Sequence, residues 1–293
     1  MSRLLFVHAH PDDETLTCGI AMAHHVARGD DVHVLTCTLG EEGEVIPPDL
    51  RHLEGAAGDP LGPYRHGELT EALSRLGVTG QVLGARTGRL SRYRDSGMVG
   101  SAAAARPEAF VNADLGEAGE LVASVVRELR PDVVVTYDRF GGYEHPDHVQ
   151  THRVTRAALA SLAYADLPGR TFEILTPLSW AREDRAFVRS LASTASGVPG
   201  MPLTLPAVED PFPRSVVADE QVTHAVHDGA ARAAKNDALR AHATQVLVVS
   251  DDVYALSNLI AARSSDREGF RRVEPRSWMP LGMPATERGG LLD

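Results

Sequence analysis

The chain of 293 residues has only two cysteines, Cys18 and Cys37. That is too few for a disulfide framework, and both lie in apolar patterns that suit buried free thiols. A reducing, cytoplasmic setting is expected. Basic residues are also scarce: 29 Lys and Arg stand against 40 Asp and Glu, a formal charge of −11. That balance argues against a nucleic-acid partner, which selects basic surfaces. No run is apolar for long enough to span a bilayer, so no membrane partner is expected. His8 and Asp12 interrupt the N-terminal apolar run too early for a signal peptide. Several catalytic signatures are missing too. There is no Gly-x-Gly-x-x-Gly after the first strand, no Walker loop, no His-Glu-x-x-His and no Gly-x-Ser-x-Gly. These absences exclude a standard dinucleotide site and a serine-hydrolase elbow. What remains, at 43% hydrophobic and 24% charged, is an ordinary globular composition.

Two segments read almost alike. One is His8-Ala9-His10-Pro11-Asp12-Asp13-Glu14 and the other Glu144-His145-Pro146-Asp147-His148. Each follows a β-branched or apolar run, Leu4 to Val7 or Val133 to Thr136, and each opens an amphipathic helical pattern. Around them the chain alternates strand and helix. Strands are predicted at 4–8, 32–38, 81–83 and 133–137. Helices are predicted at 14–28, 65–76, 115–129 and 149–162, the first and second closed by Gly29 and Gly77. Such alternation predicts an α/β fold: a Rossmann-like, doubly wound, mostly parallel sheet with a smaller, less regular C-terminal α/β part. The expected division is 1–168 for the metal-binding catalytic domain and 169–293 for a part completing the substrate cleft. Residues 193–214 read as a Ser/Gly/Pro-rich loop, 225–243 as a helix, 246–249 as a strand and 253–263 as a helix.

In a doubly wound sheet the chain first winds outward and then returns past strand one, and ligands bind at that switch point. The strands ending at His8 and Asp138 are the predicted neighbours. Both turns then share one crevice. Taken singly, His-Pro-Asp is also a good helix start, because Pro suits the first helical position and acids suit the positive end of the dipole. Two such turns together predict a metal site. His10 and Asp13, three apart, and His148 on the second turn make a two-His, one-carboxylate set with open positions. Asp12 is placed to take a proton from the attacking water. His145 faces the substrate from the other side. Asp147 is read as holding the His145 imidazole and favouring its protonated form, and Tyr143 as donating to a developing oxyanion. A ferrous oxygenase and a sugar-binding module with a structural metal use similar ligands. The first has no need of Asp12, and the second normally closes its metal with four protein ligands.

The same residues resemble the LmbE-like N-acetylglucosaminyl deacetylase superfamily. The likeness is strongest to its mycothiol-pathway branch. It is carried by His8 to Glu14, Thr36 to Ile46, Tyr64-Arg65, Arg94 to Met98, Gly141 to Tyr143, Ala230 to Lys235 and Ala241 to Gln245. The resemblance implies hydrolysis of the N-acetyl group of a small glucosaminyl-inositol. It implies one Zn2+ per chain, with Fe2+ as the other option, held by His10, Asp13 and His148. It gives the general base to Asp12 and oxyanion stabilisation to His145 and Tyr143. It places Arg65, Asp95 and Glu44 on sugar or inositol hydroxyls. A conjugate amidase or another N-acyl aminosugar deacetylase of the superfamily is the alternative.

Overall fold

The first strand is apolar on both faces because both faces are covered. A computed structural model describes residues 1–191, 201–282 and 290–292. In β1 (Arg3–His8), Leu4 and Phe6 join one buried cluster, while Leu5 and Val7 join another on the opposite side of the sheet. The chain continues through α1 (Asp13–Ala27), β2 (Asp31–Thr36), α2 (Leu61–Leu76), β3 (Thr79–Val82), α3 (Leu115–Leu129) and β4 (Val133–Tyr137). A short turn of helix, α4 (Gly141–Glu144), leads into α5 (Pro146–Ser161). β1 pairs in parallel with β2 and with β4, the latter in the register Leu4↔Val133, Leu5↔Val134 and Phe6↔Val135. The predicted switch point therefore lies between β1 and β4. Helices α1 and α2 pack on one face of the sheet and α3 and α5 on the other.

The second half adds β5 (Arg170–Pro177), α6 (Leu178–Ser190), β6 (Val216–Val217), β7 (His224–His227) and α7 (Arg232–Ala241). It ends with β8 (Leu247–Val248), β9 (Val253–Ala255), β10 (Ala261–Arg263) and β11 (Arg267–Val273). The main sheet has the order β3-β2-β1-β4-β5-β11-β7, with β6 beside β5. β5 is parallel to β4, whereas β11 runs antiparallel to β5 and β7. One sheet thus runs across residue 168. The helix expected at 225–243 begins only at Arg232, because His224 to His227 extend the sheet against β11. The helix expected at 253–263 is instead the antiparallel pair β9–β10. Its alanines favour a helix locally, but Leu259 takes a left-handed backbone (φ 54°), and pairing with β8 fixes β9 as a strand. Of the loop expected at 193–214, residues 193–200 lie outside the described residues. The rest is mostly irregular and includes a bridge between Thr204 and Ile260. Among the described residues, no helix is long and apolar enough to cross a membrane.

A buried ion pair ties the second half to α1. Lys235 Nζ donates to Glu268 Oε1 (2.9 Å) and to the Leu16 carbonyl (3.1 Å). Glu268 also accepts from the N–H groups of Ile20 (3.0 Å) and Ala21 (2.9 Å). Gly19 admits the lysine stem, since a Cβ there would lie 2.8 Å from Lys235 Cγ. Removing one partner leaves the other charged and dry. Lys235→Met is therefore expected to destabilise the fold by about 3–5 kcal/mol in urea titration. Lys235→Met combined with Glu268→Gln should recover part of that loss. Additive losses would show that the two side chains act independently.

Candidate metal centre and active site

The site begins where β1 and β4 end. After His8 the chain turns sharply, and Asp12 adopts φ 119°, a region that costs a residue with a Cβ on the order of 1–3 kcal/mol. The Asp12 carbonyl starts α1 by accepting from the N–H groups of Thr15 (3.1 Å) and Leu16 (2.9 Å). Its side chain caps no helix N–H. The carboxylate instead faces Arg65 Nη2 at 3.2 Å. On the second turn, Gly141 has φ 60°, and a Cβ there would lie 2.6 Å from His148 Cβ. The Gly141 carbonyl accepts from His148 Nδ1 (3.1 Å), which leaves Nε2 to face the first turn.

Three atoms converge from the two turns. His10 Nδ1, His148 Nε2 and Asp13 Oδ2 are each 3.3 Å from the other two. Donor atoms about 2.0–2.1 Å from a tetrahedral zinc are themselves about 3.3–3.4 Å apart, so the spacing fits such an ion. Two overlapping groups also lie close, His10-His145-His148 and His10-Asp95-Asp147. The Asp13 set is the better metal cradle, because its three atoms form an equal-sided triangle of the size a tetrahedral ion needs, whereas Asp147 in the second group is already taken up by His10 and Ser96. His10 Nε2 meets Asp147 Oδ2 at 3.2 Å, and Asp147 is itself held by the Ser96 N–H (2.8 Å) and hydroxyl. His145 Nδ1 accepts the Asp147 N–H (3.2 Å).

Charge makes the same point. Asp12, Asp13, Asp95 and Asp147 are all less than a tenth exposed, and among the described residues Arg65 is the one Arg or Lys paired with a carboxylate of the cluster. Burial opposes ionisation of Asp13, but the His148 and His10 imidazoles outweigh it and hold the carboxyl well below its usual range. Burial also works against Asp95, which His10 and the Gly97 N–H nonetheless hold low. Asp12 behaves differently. Burial outweighs the Arg65 charge and pushes its carboxyl up to about 6.

The structure redirects two expectations. The Asp147 carboxylate orients His10 and not His145, because the N-terminal turn of α5 aims the Asp147 side chain across the crevice toward Ser96 and the first turn. His145 is not protonated either. Burial, with His10 and His148 alongside, pushes it down to about 3. Since Nδ1 accepts a backbone N–H, the neutral ring carries its hydrogen on Nε2 and remains a donor. Arg65 is 3% exposed and donates to the carbonyls of Gly40 (2.6 Å) and Pro11 (2.5 Å) as well as pairing with Asp12. It is a brace of the first turn, since its terminal nitrogens are engaged inside the protein.

Tyr143 stands over the site, its ring centroid 5.0 Å from that of His148 and 5.9 Å from that of His145. Burial raises its hydroxyl above the usual range, so it too is a donor. Glu44 lies exposed on the rim, and Asp95 lies 3.6 Å from His10 Nε2. The site residues expected from the sequence, all except Asp147, line a cavity of about 870 Å3. Its far part is lined from the second half by Trp180, Tyr254, Arg263 and Arg267. Three neighbours escaped the reading of the sequence. Ser96 anchors Asp147. Tyr137 stacks on His148, centroids 4.4 Å apart and planes 17° apart. His242 Nε2 meets Glu14 Oε1 at 2.8 Å. Only Tyr137 carried a usable signal, an aromatic at the carboxyl end of a strand facing the switch point.

Comparison with known proteins places this arrangement. Residues 5–159 match the family model described as PIG-L, GlcNAc-PI de-N-acetylase, and the chain belongs to that family. Its relatives include proteins named 1D-myo-inositol 2-acetamido-2-deoxy-alpha-D-glucopyranoside deacetylase. That of Rhodococcus jostii is 48% identical, covering 92% of this chain and 90% of its own. That of Thermobifida fusca is 46% identical, covering 94% of each. A solved deacetylase–teicoplanin complex shares the fold at 19% identity, with a TM-score of 0.50 over 93% of this chain and 99% of that one.

The carboxylate behind His10 has a measurable consequence. Asp147→Asn removes the charge that fixes the His10 ring, and partners of this kind typically contribute about 10–100-fold to metal affinity. Zinc competition with a chromogenic chelator should show a loss of that size. An unchanged dissociation constant would mean that Asp147 serves only to anchor the Ser96 loop.

Proposed function

We propose that this chain is a zinc-dependent deacetylase that hydrolyses the N-acetyl group of 1-D-myo-inosityl 2-acetamido-2-deoxy-α-D-glucopyranoside. The products are the free aminosugar and acetate, as in mycothiol biosynthesis. The observation that carries the reading is the 3.3 Å triangle of His10, Asp13 and His148, with the Asp12 carboxylate, which caps no helix N–H, lining the same cavity. The substrate assignment leans on relatives 46–48% identical over nine-tenths of the chain. The cavity, about 870 Å3, falls within the range of about 300–1,000 Å3 usual for small-molecule sites. A cytoplasmic location belongs to the same proposal.

When bound by these three residues, zinc supplies a Lewis acid for the acetamide carbonyl and lowers the pKa of a coordinated water. Asp12 takes the proton of the attacking water. A carboxyl near 6 is ionised at neutral pH yet basic enough to accept it. Negative charge then grows on the acetamide oxygen, and the His145 Nε2–H and the Tyr143 hydroxyl are donors on that side of the cavity. A neutral imidazole serves this role without charge repulsion toward the metal. Asp95 and Glu44, on the cavity wall, are assigned to substrate hydroxyls. Arg65 holds Asp12 and the Pro11 carbonyl in place.

Formation of the free glucosaminyl amine, the product common to every substrate of the panel, by the zinc-loaded protein tests the reading. The panel contains the glucosaminyl-inositol, free N-acetylglucosamine and a mycothiol S-conjugate, each with and without chelator, and a ferrous-loaded sample runs alongside. The inositol-bearing sugar should be turned over fastest, and chelation should abolish turnover. Faster cleavage of the S-conjugate would overturn the substrate assignment.

The roles separate by mutation. His148→Ala should lose bound metal and activity together. Asp12→Asn should keep the metal and lose about 10²–10⁴-fold in kcat. His145→Ala should keep the metal and KM and lose about 10²–10³-fold in kcat. An Asp12→Asn enzyme within a few-fold of wild type would reduce Asp12 to a helix-start residue. A His145→Ala effect confined to KM would make His145 a binding group.

A further inference from the structure

We propose that Glu14 and His242 are positioning residues that hold Asp12 in its unusual backbone conformation and so aim its carboxylate. The proposal rests on the reading of Asp12 as proton acceptor. Asp12 is the N-cap of α1, and in a capping box its side chain would bond a helix N–H while a glutamate reached back to its own N–H. Only the second half of that exchange exists here. Glu14 Oε2 accepts the Asp12 N–H at 3.0 Å, while the Asp12 carboxylate is turned away from the helix. Glu14 thus secures the backbone of the turn and releases the Asp12 side chain from capping, so that it turns to Arg65.

Glu14 is itself fixed from the far end of the chain. Its Oε1 accepts from the Thr15 hydroxyl (2.6 Å) and meets His242 Nε2 at 2.8 Å, and both Glu14 and His242 are fully buried. His242 follows directly on α7. Two residues later, Thr244 donates to Glu68 from its N–H (2.8 Å) and its hydroxyl (2.6 Å). Glu68 lies on α2, three residues beyond Arg65, and Arg65 returns to the Asp12 carboxylate and the Pro11 carbonyl. These contacts, joined by the short chain segments 242–244 and 65–68, form a closed circuit from Asp12 through Glu14, His242, Thr244, Glu68 and Arg65 back to Asp12. Both ends of Asp12, its N–H and its carboxylate, are held by this circuit. A residue with φ 119° relaxes unless its surroundings fix it, and relaxation here swings the carboxylate away from the triad. The segment 242–244 is therefore part of the base's placement, although His242 does not line the cavity.

The test compares Glu14→Ala, Glu14→Gln, His242→Ala, Thr244→Val and Asp12→Asn in the zinc-loaded protein. Steady-state kinetics of acetate release, metal content and the visible spectrum of the cobalt-substituted enzyme are measured for each. Glutamine keeps an oxygen for the Asp12 N–H, and its amide N–H can donate to His242 Nε2 once the ring carries its hydrogen on Nδ1, so it retains the circuit without the charge. Misplacing a catalytic group by about 1 Å costs about 100-fold, so Glu14→Ala and His242→Ala should lose about that much in kcat. KM, metal content and the cobalt spectrum should stay as in wild type. Glu14→Gln should recover to within about fivefold, and Thr244→Val, which leaves Glu14 and His242 in place, should lose roughly three- to tenfold in kcat. If Glu14→Ala does not fold, His242→Ala and Thr244→Val carry the test, and wild-type kcat in both would overturn the proposal. Loss of metal or a changed cobalt spectrum in Glu14→Ala or His242→Ala would overturn the proposal, since Glu14 would then act through the ligand Asp13. Near-normal kcat in those variants beside an inactive Asp12→Asn would also overturn it. An active Asp12→Asn would sink the general-base reading instead, a distinguishable failure.

Discussion

Four buried carboxylates within one small volume dictate the rest of the architecture. Asp12, Asp13, Asp95 and Asp147 cannot all remain ionised in a dry crevice without compensation. The compensation is visible atom by atom. Arg65 pairs with Asp12, and His10 stands between Asp13, Asp95 and Asp147. Backbone N–H groups complete the shell: that of His10 serves Asp13, that of Ser96 serves Asp147, and those of Gly97 and Glu42 serve Asp95. A divalent cation in the His10-Asp13-His148 triangle would balance the remaining charge. This is why the loop at 95–97, the α2 helix and both His-Pro-Asp turns have to meet.

The sheet explains where such a concentration of charge can be tolerated. At the β1/β4 switch point two helices begin side by side, and their N-terminal ends favour negative charge. Asp13 and Glu14 lie in the first turn of α1, and Asp147 lies in the first turn of α5. Pairing of β1 with β4 over Leu4 to Phe6 fixes the separation of the two turns, and Gly141 lets His148 approach. A single strand register thus sets the spacing of two imidazoles that are 138 residues apart.

The first half of this arrangement was legible in the sequence. β-branched runs, glycine stops and the alternation of strand with helix gave the parallel sheet, and the switch-point rule brought the two motifs together. The second half was not. The stretch Ala255 to Arg263 has helical composition, and only its partners β8 and the 204 bridge make it a hairpin. β11 has a charged sequence, Arg267 to Val273, in which Arg267, Glu268 and Arg271 find Asp184, Lys235 and Glu173 on other elements. Within the site, residue types and their proximity were legible, but directions were not. Nothing in Pro-Asp-His says that Asp147 points at His10 while its own N–H points at His145. Nor does a lone serine at 96 announce that it anchors that carboxylate.

The competing readings of the two motifs, helix start and chemical site, turn out to be one mechanism. At α5, His145 caps the helix with Nδ1, and that bond is what places the hydrogen on Nε2. Capping therefore selects the tautomer that donates into the cavity. At α1 the opposite exchange occurs. Asp12 stands at the N-cap but its side chain does not cap, because Glu14 has taken over the backbone and Arg65 the carboxylate. The strain at Asp12 is the cost of freeing an acid from its structural duty. It is offset by a buried pair, Glu14 and His242, that reaches the turn from the opposite end of the chain. A helix terminus offers oriented dipoles, a fixed backbone and side chains already close to one another. With two such termini in register, small changes in who bonds to whom convert capping groups into donors, bases and ligands.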